Sequence, residues 1–247
     1  MLKRILLSIA LLLVIAYLAI AITTFNRKPA GQVCHDMELM IKDTSNGGFI
    51  TKKEIVSLLE KKEIYPVGKP MESIRCKKLE QELVKHPLID NVECYKTPSG
   101  KVCIELRQRI PILRIMSAAG DDYYIDNKGT VMPSDAKCVA HLAIATGNVE
   151  KSFATRYLYK FGVFLQQNEF WNAQIEQIHV LPDKNIELVP RIGDQLIYLG
   201  KLDGFENKLA RVKTFYEKAL SKVGWNKYSR INVEFGNQII CTKRDAE

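Results

Sequence analysis

The chain has 247 residues, of which 47% are hydrophobic, and 36 Lys and Arg against 28 Asp and Glu give a formal net charge of +8. The surplus is diffuse: residues 1–30 carry four basic groups and no acids, 31–150 seventeen of each sign, and 151–247 fifteen basic and eleven acidic. This argues against nucleic acid, whose binders concentrate charge in a stripe, and fits a solvated basic face near anionic lipid.

Ile5 to Ile22 is an apolar run broken only by Ser8 and relieved by Tyr17, and beyond Thr24 the chain reads as ordinary soluble protein. As a helix the run spans roughly 27 Å, close to the ~30 Å hydrocarbon core of a bilayer. It exceeds the ~7–15 residues of a secretory apolar region, which favours a retained anchor. Ala19-Ile20-Ala21 is the competing small-x-small cleavage site. Lys3, Arg4 and the α-amino group before the run, against Arg27 and Lys28 after it, lean only slightly toward a cytoplasmic N-terminus.

A polar linker with Pro29 and Gly31 follows. Met37 to Lys42 suits a strand, ended by the turn-rich Asp43 to Gly48. Thr51-Lys52-Lys53-Glu54 is a capping box, opening a helix with Ile55, Leu58 and Leu59 on one face. Pro66, Gly68 and Pro70 break the chain before a second helix, Ile74 to Lys85, expected to bury Leu79, Leu83 and Val84. His86-Pro87 stops it, since a residue before proline disfavours the helical region. Strands Asn91–Lys96 and Lys101–Arg109 flank Thr97-Pro98-Ser99-Gly100. A four-residue loop there places Cys94 opposite Cys103, where a disulfide can form in an oxidising compartment. The alternative is a pair of half-buried thiols.

The remainder is strand-rich. Ile112 to Ser117 reads as a strand, Tyr123–Ile125 and Thr130–Met132 as a hairpin around Asp126-Asn127-Lys128-Gly129, and Ala140 to Thr146 as another strand. Ser152 is expected to cap a helix presenting Phe153, Tyr157, Leu158, Phe161 and Leu165. Gln174–Leu181, Ile186–Pro190 and Gln195–Leu199 form a meander. A long amphipathic helix carries Phe205, Leu209, Val212, Tyr216, Leu220 and Val223. Arg230–Phe235, a tight turn at Gly236-Asn237 and Gln238–Thr242 complete the series. Aromatic side chains at helical spacing are assigned to the core.

Catalysis needs converging groups, and the sequence offers none. The six cysteines show no metal-ligand spacing, and His35, His86, His141 and His179 stand far apart. Gly193 to Gly200-Lys201 has six rather than four residues between its glycines, and Leu202 supplies no hydroxyl, so it is not a phosphate loop. Asp121-Asp122 is assigned to a solvated turn. Neither an enzyme activity, a cofactor, a metal nor a small-molecule substrate is expected.

The βααββ order, with Pro87-Leu88-Ile89-Asp90-Asn91-Val92, the Pro98 turn and Gln108-Arg109-Ile110-Pro111-Ile112, resembles a POTRA domain of the FtsQ/DivIB cell-division family. Tyr124-Ile125-Asp126-Asn127-Lys128-Gly129 resembles that family's hydrophobic-Asp-x-x-Gly turn, and Leu199-Gly200-Lys201 with Ile231-Asn232-Val233-Glu234-Phe235 its closing pattern. Leu88 stands where the family has an aromatic, Thr97 for its Trp, Gln108 for its Glu, and Glu234 for its usual Arg. The resemblance implies an α+β chain: cytoplasmic tail 1–4, transmembrane helix 5–25, linker 26–36, POTRA domain 37–110, and a mixed, mainly antiparallel β domain with two helices at 111–247. It implies a single-pass inner-membrane protein with a periplasmic module at the division septum. Such a protein scaffolds the divisome without enzymatic activity, binding FtsB and FtsL and linking assembly to septal peptidoglycan synthesis. The competing reading is a POTRA-containing tethered factor for outer-membrane or secreted polypeptides.

The expected docking site is the C-terminal strand. Gln238, Ile239, Ile240, Cys241 and Thr242 are short, apolar and last in the chain, so their outer edge is expected to stay open for an added strand. The resemblance places FtsB at this end. Lys243 and Arg244 would attract an acidic segment and Phe235 would anchor it. In the competing view, Ile239 and Cys241, or Ile240, finish the core and the basic residues blunt the edge.

Overall fold

A computed structural model of the chain describes residues 2–25, 31–42, 49–134 and 142–244. It is an α+β fold with two sheets. An N-terminal helix, α1 (Leu2–Phe25), precedes them, and its described side chains run from Ile9 to Ala21. Among the described residues no helix is long and apolar enough to cross a membrane.

The first sheet has the order β1-β3-β2. Strand β1 (Asp36–Lys42) runs parallel to β3 (Lys101–Gln108), which is antiparallel to β2 (Ile89–Lys96). Alternation divides its faces: Leu39, Val92, Val102, Ile104 and Leu106 are buried with Ile55 and Leu59 of α2 (Lys52–Lys61) and Leu79 and Leu83 of α3 (Cys76–Val84). Thr51 caps α2 as expected: its hydroxyl accepts from the Glu54 N–H, and the Glu54 carboxylate accepts from the Thr51 N–H at 2.8 Å. Such a cap contributes about 1 kcal/mol. Val84 is exposed, one position beyond the stripe that Leu79 and Leu83 bury.

The hairpin register differs from expectation. Gly100 takes φ +83°, its N–H donates to the Thr97 carbonyl at 3.1 Å, and the Thr97 N–H donates to the Lys101 carbonyl at 2.9 Å. The loop therefore has three residues, closed by a glycine in the left-handed region. This shift by one sets Cys94 across from Ile104 and Cys103 across from Tyr95, so the two cysteines occupy opposite faces and both are free thiols. The expected Cys94–Cys103 disulfide is corrected.

The second sheet has the order β12-β11-β10-β9-β8-β7-β4-β5-β6. Its strands are β4 (Pro111–Ser117), β5 (Asp122–Asp126), β6 (Val131–Pro133), β7 (Ala143–Gly147), β8 (Ile175–Val180), β9 (Ile186–Pro190), β10 (Leu196–Gly200), β11 (Tyr228–Asn232) and β12 (Ile240–Lys243). The expected strand Ala140–Thr146 falls partly outside the described residues, as does the turn Asp43 to Gly48. Three helices cover one face. Segments Lys151–Phe153, Ala154–Leu158 and Tyr159–Gln167 form α4; Glu169–Gln174 forms α5; Phe205–Phe215, Tyr216–Leu220 and Ser221–Val223 form α6. Parallel neighbours need a crossover of a dozen residues or more. Helices α4 and α5 provide it between β7 and β8, and α6 provides it between β10 and β11.

The helical face holds the larger core: Leu113, Ile115, Ile178, Leu188, Ile197 and Ile231 meet Leu158, Phe161, Trp171, Leu209, Val212 and Tyr216. At Gly162 a Cβ would stand 2.7 Å from the Leu113 side chain, so only glycine lets α4 approach β4 this closely. Ser152 does not cap α4; Glu150 occupies that position without a side-chain bond. Both long helices contain a π turn, at Ala154–Leu158 and Tyr216–Leu220. The wider turn shifts the phase around it, and Tyr157 and Val223, expected in the core, are exposed.

The two sheets meet where β3 runs into β4. The Gln108 side-chain oxygen accepts from the backbone N–H of Phe49 and Ile50 at 2.8 and 3.1 Å. Asp126, 1% exposed, accepts from Arg109 at 2.7 Å and from the N–H of Lys128 and Thr130. Lys128 reaches Asp90 at 2.6 Å. Phe49 and Leu88 from the first module pack on Tyr124 and Met132 of the second.

Candidate functional site

Strand β12 ends the sheet, and among the described residues only β11 pairs with it. The register, Ile231 with Cys241 and Asn232 with Ile240, decides its faces. Ile231 is fully buried under α6, so Cys241 turns toward the helices, and burial pushes its thiol above the usual range. Ile239 joins it against the core. Ile240 points to the uncovered face and is 46% exposed; Thr242 and Lys243 are also exposed. The side chains follow the first branch of the competing view: Ile239 and Cys241 turn to the core and Ile240 does not.

The approach to β12 is shorter in strand and longer in loop than expected. The Asn232 side-chain oxygen accepts from the Glu234 N–H at 2.9 Å, a local turn that competes with the ladder and ends β11 at Asn232. Residues 233–239 are then held from above by one side chain. Arg211 of α6 donates to the carbonyls of Val233 at 2.7 Å, Gln238 at 3.1 Å and Phe235. A planar guanidinium with five donors suits this; a lysine ammonium does not reach three divergent carbonyls. Phe235 stays 45% exposed at the loop.

Between this loop and α6 lies an open groove of about 410 Å³, lined by Arg211, Thr214, Phe215, Lys218, Gln238 and Ile239 among others. Beyond it the Arg244 N–H donates to the Lys227 carbonyl at 3.0 Å, holding the strand's end, and its guanidinium lies 3.4 Å from Asp194. The arrangement offers main-chain hydrogen bonding, an apolar-floored groove and cationic side chains (Lys218, Lys243). Among the described residues no group of three or more His, Cys, Asp or Glu is placed to hold a metal ion. Sequence reasoning gathered Phe235 and the strand correctly into one region but missed Arg211, Phe215 and Lys218. Their helix was legible, yet nothing local marks Arg211 as the residue facing a loop more than twenty positions later.

A family model described as FtsQ/DivIB, C-terminal related, matches residues 110–242, from the start of β4 into β12. The chain belongs to that family. A POTRA-like domain model matches residues 32–107, the first sheet with α2 and α3. The chain is similar to the cell division protein FtsQ of Rhodothermus marinus, 25% identical over 169 residues. The match covers 64% of this chain and 62% of that relative's length.

Proposed function

We propose that this FtsQ/DivIB-family chain is a non-enzymatic divisome scaffold that binds FtsB- and FtsL-type division proteins and links septum assembly to peptidoglycan synthesis. The observation that carries the reading is the open edge of β12, clamped beside a groove by Arg211 within the family-matched region. An extended partner segment adds to such an edge through main-chain hydrogen bonds, its alternate side chains supplying specificity. Phe235, Gln238, Ile239, Ile240, Cys241, Thr242 and Lys243 form the proposed contact, with the lysines favouring an acidic partner segment.

The proposal includes a single-pass anchor. The apolar run Ile5 to Ile22 supports it, as does the exposure of Leu11, Leu12 and Leu13 among the described residues. Residues 5–25 then span the inner membrane, 26–36 form the linker, and a POTRA domain at 37–110 and a β domain at 111–247 stand in the periplasm. Protease added to intact spheroplasts should digest the module; protection until lysis reverses the topology.

Docking is tested by retention of FtsB on the full chain. Ile240→Pro is expected to reduce capture at least tenfold because it disrupts the ladder, while Ile240→Val is tolerated. Undiminished capture by a folded proline variant places the docking site elsewhere.

A further inference from the structure

The corrected hairpin register gives Cys94 a different neighbour. Opposite Ile104, it lies on the face of β2 that α3 covers. Cys76 is the first residue of α3, and Glu80 stands one turn on, along the same stripe. The Glu80 carboxylate accepts from the Cys94 backbone N–H at 2.8 Å, which fixes that stripe over Cys94. Burial first and the neighbouring Cys76 side chain second push the Cys94 thiol up, in keeping with α3 lying over this face of β2. Cys103 faces the other side with Tyr95, and the Cys34 thiol is engaged with the Asp36 carbonyl at 3.3 Å.

We propose that Cys76 and Cys94 form a disulfide that ties α3 to β2 when the chain meets a disulfide-bearing oxidant. Both thiols are partly exposed, and Cys76, the first residue of α3, is the one assigned to react first. Burial pushes the Cys94 thiol up, which keeps it protonated and a poor initiator. Cys76, after losing its proton, attacks one sulfur of the oxidant and expels the other as a thiolate. Cys94 then gives up its proton and attacks the Cys76 sulfur, expelling the second thiolate. Two electrons pass to the oxidant, whose two thiolates take up the two protons. The resulting bond closes a loop of about 20 residues, enough to constrain the unfolded chain appreciably. The chemistry is independent of partner docking; only its occurrence in the cell rests on the periplasmic placement.

The test uses the purified full-length chain in detergent, oxidised with glutathione disulfide, trapped with N-ethylmaleimide and digested for mass spectrometry without reduction. A peptide linking Cys76 to Cys94 is expected, together with a rise of about 5–10 °C in the melting temperature of the first module over the reduced protein. Cys103→Ser should leave both unchanged, and Cys76→Ser should abolish both. A stable glutathione adduct on Cys76, free alkylation of both residues after oxidation, or Cys94 linked elsewhere overturns the proposal. FtsB capture by Cys76→Ser should be undiminished, so failure of the disulfide and failure of the docking edge are separate results.

Discussion

The two ends of the large sheet carry the same kind of liability and resolve it differently. On the face away from the helices, Tyr124 and Met132 lie at the β6 end and Ile240 at the β12 end. Strand β6 is only three residues long, finishes on Pro133, and has Met132 wholly buried beneath Phe49 and Leu88 of the first module. A short strand, a proline and a covering element are the usual ways to blunt an edge. Strand β12, at four residues, is also short, but it carries no proline, and among the described residues no element pairs with its outer side; its neighbour Arg211 orders the loop leading to it. The contrast teaches that the β6 edge serves the joint between modules, whereas among the described residues the β12 edge is paired on its inner side alone, as the proposed docking requires.

The largest effect should come from truncating the buried end. Met132→Ala removes a side chain with no exposure and is expected to cost about 2–5 kcal/mol. Ile240→Ala, nearly half exposed, should cost less than about 1 kcal/mol. Urea denaturation of the two variants measures both, and equal costs would erase the distinction between the edges.

The ion pair at the joint comes next. Arg109→Ala leaves Asp126 buried without its cationic partner, and removing one member of a buried pair typically costs about 3–5 kcal/mol. Arg109 retains some exposure, so the lower end is expected. Lys128→Ala removes only a more exposed pair with Asp90 and should cost no more than about 1 kcal/mol. If Arg109→Ala shifts stability no more than Lys128→Ala, the joint is held by its apolar cluster alone.

At the other end, Arg211→Ala should cost only about 1–2 kcal/mol of stability, since the freed carbonyls can reach water. Hydrogen exchange across residues 233–239 should nevertheless accelerate, and capture of FtsB should weaken about tenfold, an ordering cost of ~1.4 kcal/mol transferred to binding. Arg211→Lys should rescue little. Unchanged exchange in that loop would mean that the clamp is not what orders it.

The parts of this comparison readable from sequence were those written in local chemistry. The Thr51–Glu54 box and the Asp126 turn use partners two to four residues apart. The β12 edge followed from a short apolar run with basic flanks. What escaped was long-range or off by one. The parallel neighbours β4-β7-β8 cannot be deduced from strand patterns alone, because each pairing is separated by dozens of residues. The Cys94 register turned on whether Gly100 closed a loop of three or four residues, a choice made by one backbone angle. Of the docking region, the strand was visible and its clamp was not: Arg211 earns its role only once α6 lies across residues 233–239.

The smallest expected effect is a difference in acid sensitivity between the two ends. Beside β6, Arg114 of β4 bonds Asp122 of β5 through both oxygens, at 3.0 and 2.8 Å. These hydrogen bonds hold the Asp122 carboxyl below its usual range, against a smaller opposing effect of burial. A lowered folded-state value means stabilisation that is present above the unfolded-state value of about 3.9 and lost as pH falls through the folded value. Because both side chains are more than a third exposed, the contribution is screened to under about 0.5 kcal/mol. The Arg211 clamp binds neutral carbonyls, which do not titrate in this range. Lowering the pH from 5 to 3 should therefore raise exchange of residues 122–126, once corrected for the intrinsic pH dependence, more than that of residues 233–239. Asp122→Asn should remove the local acid response. An equal response at both ends would show that acid acts through the whole sheet rather than through the ion pairs at one end.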